Sequence, residues 1–149
     1  MKTVVYTSRL SDDLSDTPAV INDIIVQSQR NNLANDVTGA MIFHNSQIIQ
    51  VIEGEAGNIE GLFSRICGDA RHTAITELYN QDIRARAFQQ WSMQAINITV
   101  DESFTRESIQ LVGDLFDQRF LFRGDLYLAM LQAVFTRPEF MDELLKKAA

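Results

Sequence analysis

Residues 37–54 have the sequence VTGAMIFHNSQIIQVIEG, and this stretch decides the fold. Two apolar runs, at 37–43 and 47–52, flank the short polar segment 44–46. Runs of this length on either side of a few turn residues are typical of a β-hairpin. We therefore predict two neighbouring antiparallel strands, the second of which ends at Gly54 because glycine interrupts the pattern.

Gln50 is the unusual residue of this hairpin. Because side chains alternate along a strand, Gln50 shares one face with Ile48 and Ile52. Ile49 and Val51 share the other face, so both faces are otherwise apolar. A buried amide without a partner costs about 1–3 kcal/mol. Taken alone, Gln50 is interpreted as a core amide that is hydrogen-bonded to another side chain or to water.

The segment before the hairpin predicts one strand and one helix. Residues 3–7 are β-branched and aromatic, which favours a strand. Thr17 followed by Pro18 is a good helix start, with threonine as N-cap and proline at the first helical position. We expect this helix to fail near Asn31-Asn32, because asparagine is a poor helix former.

The segment after the hairpin predicts a second helix and two more strands. Apolar residues at helical spacing run from Ile59 to Ile66, and the pattern stops near His72. Residues 75–79 and 91–98 favour strands. The resulting order βαββαββ predicts an α+β fold, with both helices on one face of a mostly antiparallel or mixed sheet.

Charge and composition exclude several classes of partner. The chain of 149 residues carries a net charge of −7, which argues against nucleic acid and against an anionic membrane surface. The sequence has no run of about 20 apolar residues, and Met1–Ser8 lacks the apolar run of a signal peptide. Cys67 is the single cysteine, which excludes an internal disulfide, and we expect it to be a small buried filler. These features predict a cytoplasmic protein.

Several polar residues have ordinary explanations when each is considered alone. Arg65 and Asp69 are four residues apart, so a surface ion pair on the second helix is the default interpretation. Glu53 and Glu55 could imitate a paired-carboxylate site, but we interpret them as part of a turn after the strand. The two histidines are too isolated in the sequence to predict a metal site.

The combination of motifs is more informative than any single residue. Six motifs occur in order within residues 1–98: Tyr6, Ser28-x-x-Asn31-Asn32, Thr38-Gly39, Gln50-x-x-Glu53-Gly54, Asp69-x-Arg71-His72 and Phe88-x-x-Trp91-Ser92-Met93. This set resembles the BLUF family, the sensors of blue light using FAD. The resemblance implies a ferredoxin-like sandwich with two helices on one face of a mixed five-stranded sheet. It also implies that a flavin is held between the two helices.

The resemblance implies a set of cofactor-binding residues. Ile24 and Ile66 match the positions that sandwich the isoalloxazine ring. Four polar residues match the groups at the pyrimidine edge of the flavin: Asn31, Asn32, Arg65 and Asp69. That edge offers carbonyl acceptors and one N–H donor, so amide, guanidinium and carboxylate groups suit it. For His72 we expect either a surface position or one at the phosphate edge of the flavin. FAD is the expected cofactor, although members of the family also accept FMN or riboflavin.

The resemblance also implies a group of photoactive residues. After excitation of the flavin, Tyr6 gives up an electron and then a proton, which Gln50 relays. Gln50 is left rotated or tautomerised, the absorption shifts to the red, and the dark state then returns without net chemistry. Ser28 matches a nearby hydroxyl of the same network. Trp91 and Met93 match a pair on the fifth strand whose position near Gln50 depends on the signalling state.

The C-terminal third of the sequence has a different character. Apolar stripes at helical spacing within 109–120 and 125–135 predict two helices, and a capping pattern at 136–139 predicts a short third helix. The chain therefore divides into a photosensory domain, residues 1–98, and a C-terminal helical extension, residues 99–149, within one compact unit.

This extension predicts the kind of output. The helix at 125–135 is apolar on two faces and therefore needs two partners. The chain resembles the short single-domain members of the family, in which such helices mediate self-assembly or partner binding. We therefore expect a homo-oligomer with a downstream signalling protein as partner, and neither an enzyme nor a fused cyclase. Our hypothesis is that Met93 couples the rearrangement of Gln50 to the helices after Thr105.

Two alternatives stay open from the sequence. A small ferredoxin-like or flavin-dependent enzyme would need a base or nucleophile in an open cavity, and no such constellation is evident in the sequence. A non-photoactive flavin-binding or protein-interaction module of the same fold is the second alternative. The presence of Tyr6 and Gln50 counts against it, and an absorption spectrum before and after blue light separates all three.

Overall fold

The computed structural model describes residues 1–11, 17–44, 46–89 and 94–97. Trp91, Met93 and the predicted C-terminal helices lie outside the described residues. Neither helix of the described part is long and apolar enough to cross a membrane.

Strands and helices in the described part follow the predicted order. The elements are β1 (Lys2–Leu10), α1 (Thr17–Ala34), β2 (Thr38–His44), β3 (Gln47–Gly54), α2 (Ala56–Cys67), β4 (His72–Asp82) and β5 (Gln94–Asn97). The sheet order is β4-β1-β3-β2-β5. The strands β4, β1, β3 and β2 are antiparallel to their neighbours, which confirms the α+β prediction. The short segment β5 pairs in parallel with β2.

The hairpin that was predicted from residues 37–54 is present as β2 and β3. His44 pairs with Gln47 next to the turn, and Gly39 pairs with Ile52 near the other end. A Cβ atom at Gly39 would overlap the backbone carbonyl oxygen of Val51. Glycine is therefore required at this position by the close approach of two backbones.

The end of α1 differs from the prediction. The helix does not fail at Asn31-Asn32 but continues to Ala34. The backbone N–H of Asn35 still donates to the carbonyl oxygen of Asn31 at 3.2 Å, and the Asn35 side-chain amide donates to the same oxygen at 2.7 Å. The chain turns at Asp36, which has a φ of 52° and belongs to a residue type that tolerates this left-handed region.

The end of α2 also differs from the prediction, because the helix stops at Cys67 and not near His72. The backbone N–H of Gly68 donates to the carbonyl oxygens of Ser64 and Arg65, which closes the last turn. Cys67 is exposed, so its interpretation as a buried filler was wrong. It is the last residue of the helix, and no further helical turn covers it.

The strands β1, β2 and β3 are buried on both faces of the sheet. The face that carries the two helices contributes a core cluster with them: Val4, Tyr6, Leu10, Ile24, Val37, Met41, Phe43, Ile48, Ile52 and Ile59. On the opposite face, Val5, Ile42 and Val51 are also fully buried. Because β3 is apolar on both sides, any polar side chain in this strand must find its partners inside the protein.

Candidate functional site

Tyr6 and Gln50 meet across the centre of the sheet. They are direct partners in the antiparallel register of β1 and β3, and both side chains point to the helix-bearing face. The Tyr6 hydroxyl donates a hydrogen bond to Oε1 of Gln50. The exposed fraction is 0% for Tyr6 and 3% for Gln50. The buried amide that was evident from the alternation of β3 therefore has a phenol as partner.

The surroundings of Tyr6 keep its hydroxyl protonated. Burial raises the pKa of Tyr6 well above its ordinary value, and the electrostatic influence of Cys67 and Asp69 raises it further. The ring of Phe63 lies against that of Tyr6, with ring centroids 5.4 Å apart and a tilt of 55°. Since proton loss to water is unfavourable here, the hydroxyl can lose its proton only to a bonded neighbour such as Gln50.

A cavity opens beside this pair, between the two helices. The side chains around it come from β1, α1, β3, α2, the turn after α2 and the start of β4: Tyr6, Ile24, Gln27, Ser28, Asn31, Asn32, Gln50, Leu62, Arg65, Ile66, Asp69, Arg71 and His72. Every site residue predicted from the sequence lies in this lining, apart from Trp91 and Met93, which are outside the described residues. The lining shows that these residues are brought together, and their roles toward a cofactor stay predictions.

Helical spacing explains why one cavity collects so many of these residues. On α1, residues 24, 27, 28, 31 and 32 recur at intervals of three and four and therefore share one face. On α2, the positions 62, 65 and 66 do the same, and Asp69 reaches the cavity from the turn after the helix. Sequence reasoning had not assigned Gln27, Leu62 or Arg71 to the site. This spacing was the signal that could have found the first two.

Asp69 forms an ion pair, but not with the predicted partner. The guanidinium of Arg71 donates to Asp69 Oδ2 at 2.6 Å from Nη2 and at 3.1 Å from Nε. The default interpretation of a helical pair between Arg65 and Asp69 was wrong because α2 ends at Cys67, before Asp69. The hydrogen bonds from Arg71 lower the pKa of Asp69, so this carboxylate is charged at neutral pH.

His72 completes the lining from the first residue of β4. Its Nδ1 lies 3.0 Å from Oγ of Ser8, two residues beyond Tyr6 on β1. Burial lowers the pKa of His72, which favours the neutral ring at pH 7. A neutral imidazole has one donor and one acceptor nitrogen, so His72 can bond Ser8 and still offer its other nitrogen toward the cavity.

Glu53 is a buried residue that sequence reasoning misassigned. It lies within β3 with an exposed fraction of 0% and not in a turn after the strand. Glu55, by contrast, is exposed in front of α2. Burial raises the pKa of the Glu53 carboxyl, although the backbone N–H groups of Phe88 and Ala87 oppose this shift. The alternation that placed Ile49 and Val51 on one apolar face of β3 also places Glu53 there. This pattern could have indicated from the sequence that Glu53 is buried.

The cavity suits a flat aromatic ring with one polar edge. Ile24 and Ile66 stand on different helices and provide apolar walls, while Asn32 and Asp69 provide an amide and a carboxylate. A flavin ring has this combination of apolar faces and an edge of carbonyl and N–H groups, so the chemistry of the lining fits it.

Comparison with known proteins identifies relatives. The family model described as "BLUF: Sensors of blue-light using FAD" matches residues 1–94. The sequence is 29% identical over 102 residues to the blue light- and temperature-regulated antirepressor BluF of Escherichia coli (strain K12). That match covers 68% of this chain and 25% of the relative, so the chain spans about a quarter of the relative's length.

Two solved structures resemble this fold. A bacterial light-regulated adenylyl cyclase is similar with a TM-score of 0.73 and 29% identity, over 79% of this chain and 34% of the cyclase. The dark-state structure of BlrB, a BLUF protein, is similar with a TM-score of 0.66 and 29% identity, over 74% of this chain and 82% of BlrB.

Proposed function

This chain belongs to the BLUF family, the sensors of blue light using FAD, and we propose that Tyr6 and Gln50 carry out its photochemistry. The observation that supports this assignment is the buried hydrogen bond between the Tyr6 hydroxyl and the Gln50 amide beside the cavity. A tyrosine supplies both an electron and a proton, and an amide can exchange its donor and acceptor ends by rotating.

The proposed mechanism follows from the positions of these groups. When bound and excited, a flavin supplies a strong one-electron oxidant. Tyr6 loses an electron, and because its hydroxyl already donates to Gln50 Oε1, its proton moves along that hydrogen bond. The nearby carboxylate of Asp69 favours electron loss from Tyr6, since a negative charge stabilises a developing positive one. Gln50 ends in a rotated or tautomeric form, and the electron and proton then return to Tyr6.

We propose that the cavity residues hold the flavin according to their chemistry. Ile24 and Ile66 would cover the two faces of the ring, and the polar group formed by Asn31, Asn32, Arg65 and Asp69 would bond its pyrimidine edge. Ser28 would join the hydrogen-bond network of Gln50, and His72 would lie toward the phosphate side. FAD is the proposed cofactor, and FMN or riboflavin would serve equally where the contacts involve only the ring.

We also propose how the signal leaves the site. The full ferredoxin-like sandwich would include β5 as its fifth strand. The predicted helices in residues 99–149 would follow it as an extension that mediates homo-oligomer formation and the binding of a downstream signalling protein. Met93 would connect the Gln50 rearrangement to these helices, with Trp91 as its neighbour in the switch. Relatives include an antirepressor and light-regulated cyclases, so the family serves several outputs. The predicted cytoplasmic location belongs to the same proposal.

The absorption spectrum of the purified protein before and after blue light tests this function. We expect structured flavin bands that shift reversibly to longer wavelength and return in the dark. A protein that binds flavin without any shift would instead be a non-photoactive module. Irreversible bleaching, or turnover of an added substrate, would indicate an enzyme, and either result would contradict the proposal.

A further inference from the structure

Glu53 lies on the face of β3 opposite Gln50. Gln50 points into the helix-bearing face and lines the cavity, whereas Glu53, three residues further along, points away from it. Its side chain is completely buried. In the sheet register, Glu53 is flanked by Thr3 of β1 and Thr38 of β2. The cavity does not use this carboxyl group, so its burial requires another explanation.

The carboxylate of Glu53 holds the backbone of the segment that follows β4. Its Oε2 accepts a hydrogen bond of 3.1 Å from the backbone N–H of Phe88. The neighbouring N–H of Ala87 also favours the charged form of the carboxyl group and so opposes the rise of its pKa. Its Oε1 accepts from the Thr3 hydroxyl at 3.4 Å. Because Phe88 and Thr3 both donate to its oxygens, Glu53 acts as an acceptor that ties the backbone amide of Phe88 to the centre of the sheet.

Arg86 provides a second attachment, which holds segment 86–88 at the start of β2. The Arg86 guanidinium donates to the backbone oxygen of Asp36 at 2.8 Å and to its carboxylate at 3.0 Å. It also donates to the Thr38 hydroxyl at 3.3 Å. Phe88 itself is buried, with an exposed fraction of 3%. Segment 86–88 is therefore fixed by side-chain contacts on both sides, with Glu53 as its attachment to β3.

This segment leads directly to the last described strand. Only residues 89–93 separate Phe88 from β5, and β5 begins opposite Ala40 of β2. The strand β3 therefore carries Gln50 on one face. On its other face it carries Glu53, which holds the segment that leads to β5. If β3 shifts when the hydrogen bonds of Gln50 change, Glu53 and the attached segment 86–88 would move with it, because a packed strand transmits such a displacement.

We propose that Glu53 is a positioning residue for signal transmission, because its carboxylate ties the strand that carries Gln50 to segment 86–88 and through it to β5. This inference rests on the proposed function. It predicts that Glu53 is dispensable for the red shift, which arises in the cavity, and necessary for the response of β5 to light.

Amide hydrogen exchange of the full-length, flavin-loaded protein in the dark and under blue light tests this role. Two variants are compared with the wild type: Glu53→Leu removes all acceptor oxygens, and Glu53→Gln keeps one acceptor without the charge. Glu55→Gln is the matched control, because it makes the same change at an exposed site two residues away. The red shift of each protein is recorded on the same samples.

We expect the wild type and Glu55→Gln to show a light-minus-dark difference in exchange at Gln94–Asn97. The difference should be reduced in Glu53→Gln and lost in Glu53→Leu, while all four proteins keep the red shift. A merely structural role would speed exchange in the dark but would leave the light-dependent difference in place. A full difference in Glu53→Leu, or no difference in a wild type that shows the red shift, would overturn the inference.

A further variant keeps the proposal testable if Glu53→Leu does not fold. Thr3→Val removes one donor to the carboxylate with little change in shape. We expect a reduced light-dependent difference at β5, and an unchanged difference would count against the proposal. Absence of a red shift in the wild type would contradict the proposed function itself, so the two failures are distinguishable.

Discussion

The Tyr6 hydroxyl donates to the Gln50 amide because the two residues are register partners in neighbouring strands and both point toward the same face. A one-residue slip of β1 against β3 would turn one of these side chains to the other face. The proposed photoactive pair therefore depends on the register of the sheet as much as on the identity of the two residues.

Tyr6→Phe should abolish the light-induced red shift while flavin still binds. The variant keeps the ring and its contact with Phe63 but removes the hydroxyl that donates to Gln50. Difference absorption spectra after blue light provide the measurement. Tyr79→Phe on β4 is the matched control and should keep the shift, because Tyr79 is absent from the cavity lining. A normal photocycle in Tyr6→Phe would refute the assignment.

Gln50→Leu should also abolish the red shift without preventing flavin binding. Leucine fits an apolar strand but has no groups that could relay a proton or change a hydrogen bond to the cofactor. Flavin content per protein and the spectrum after illumination are measured together. The control Gln47→Leu changes the same residue type at the start of β3, outside the cavity. If Gln50→Leu retained the shift, the amide could not be the switch.

Gly39→Ala and Gly57→Ala should have opposite effects on stability. At Gly39 the new Cβ would overlap the Val51 carbonyl oxygen, and overpacking of this kind costs about 1–3 kcal/mol. At Gly57, in α2, the new Cβ would meet no atom within 4 Å other than its chain neighbours and the backbone of its own helix, and alanine gains up to about 1 kcal/mol in a helix. Urea unfolding midpoints check both. If the two variants had equal midpoints, β2 and β3 would be able to move apart at residue 39 without loss of stability.

The ion pair of Asp69 should make part of the stability depend on pH. The pKa of Asp69 is lower in the folded protein than its ordinary value of 3.8, because Arg71 bonds the charged form. This contribution is therefore present above the ordinary value and is lost as the pH falls through the lowered one. For a partly exposed pair, we expect about 0.5–1 kcal/mol.

Comparison of Asp69→Asn with the wild type at pH 7 and pH 2 measures this contribution. The variant should be less stable at pH 7. The difference in unfolding free energy should become smaller at pH 2, because this pH lies below the ordinary pKa of 3.8 and the contribution of the charged carboxylate falls from there downward. Asp82→Asn, at an exposed position of β4, is the control and should show little difference at either pH. A constant difference for Asp69→Asn at both pH values would exclude the ion pair as its source.

Much of the fold was predictable because it follows from local patterns. Two apolar runs around a short polar segment in 37–54 predicted the hairpin, the Thr17-Pro18 start predicted α1, and helical spacing predicted α2. The ends of the helices were less predictable. The end of α1 depends on the backbone of Asp36 and the contacts of Asn35, and the end of α2 depends on Gly68. Such contacts involve single residues that leave no periodic signal.

The sequence by itself determined that Gln50 interrupts an apolar strand, and the order of its motifs identified the family. Only the tertiary structure decided which groups meet. It gave Gln50 the Tyr6 hydroxyl, gave Asp69 the guanidinium of Arg71, and buried Glu53 under the backbone of Phe88. The physical reason is that these pairs depend on strand register and on where helices stop, which residues distant in the chain set together.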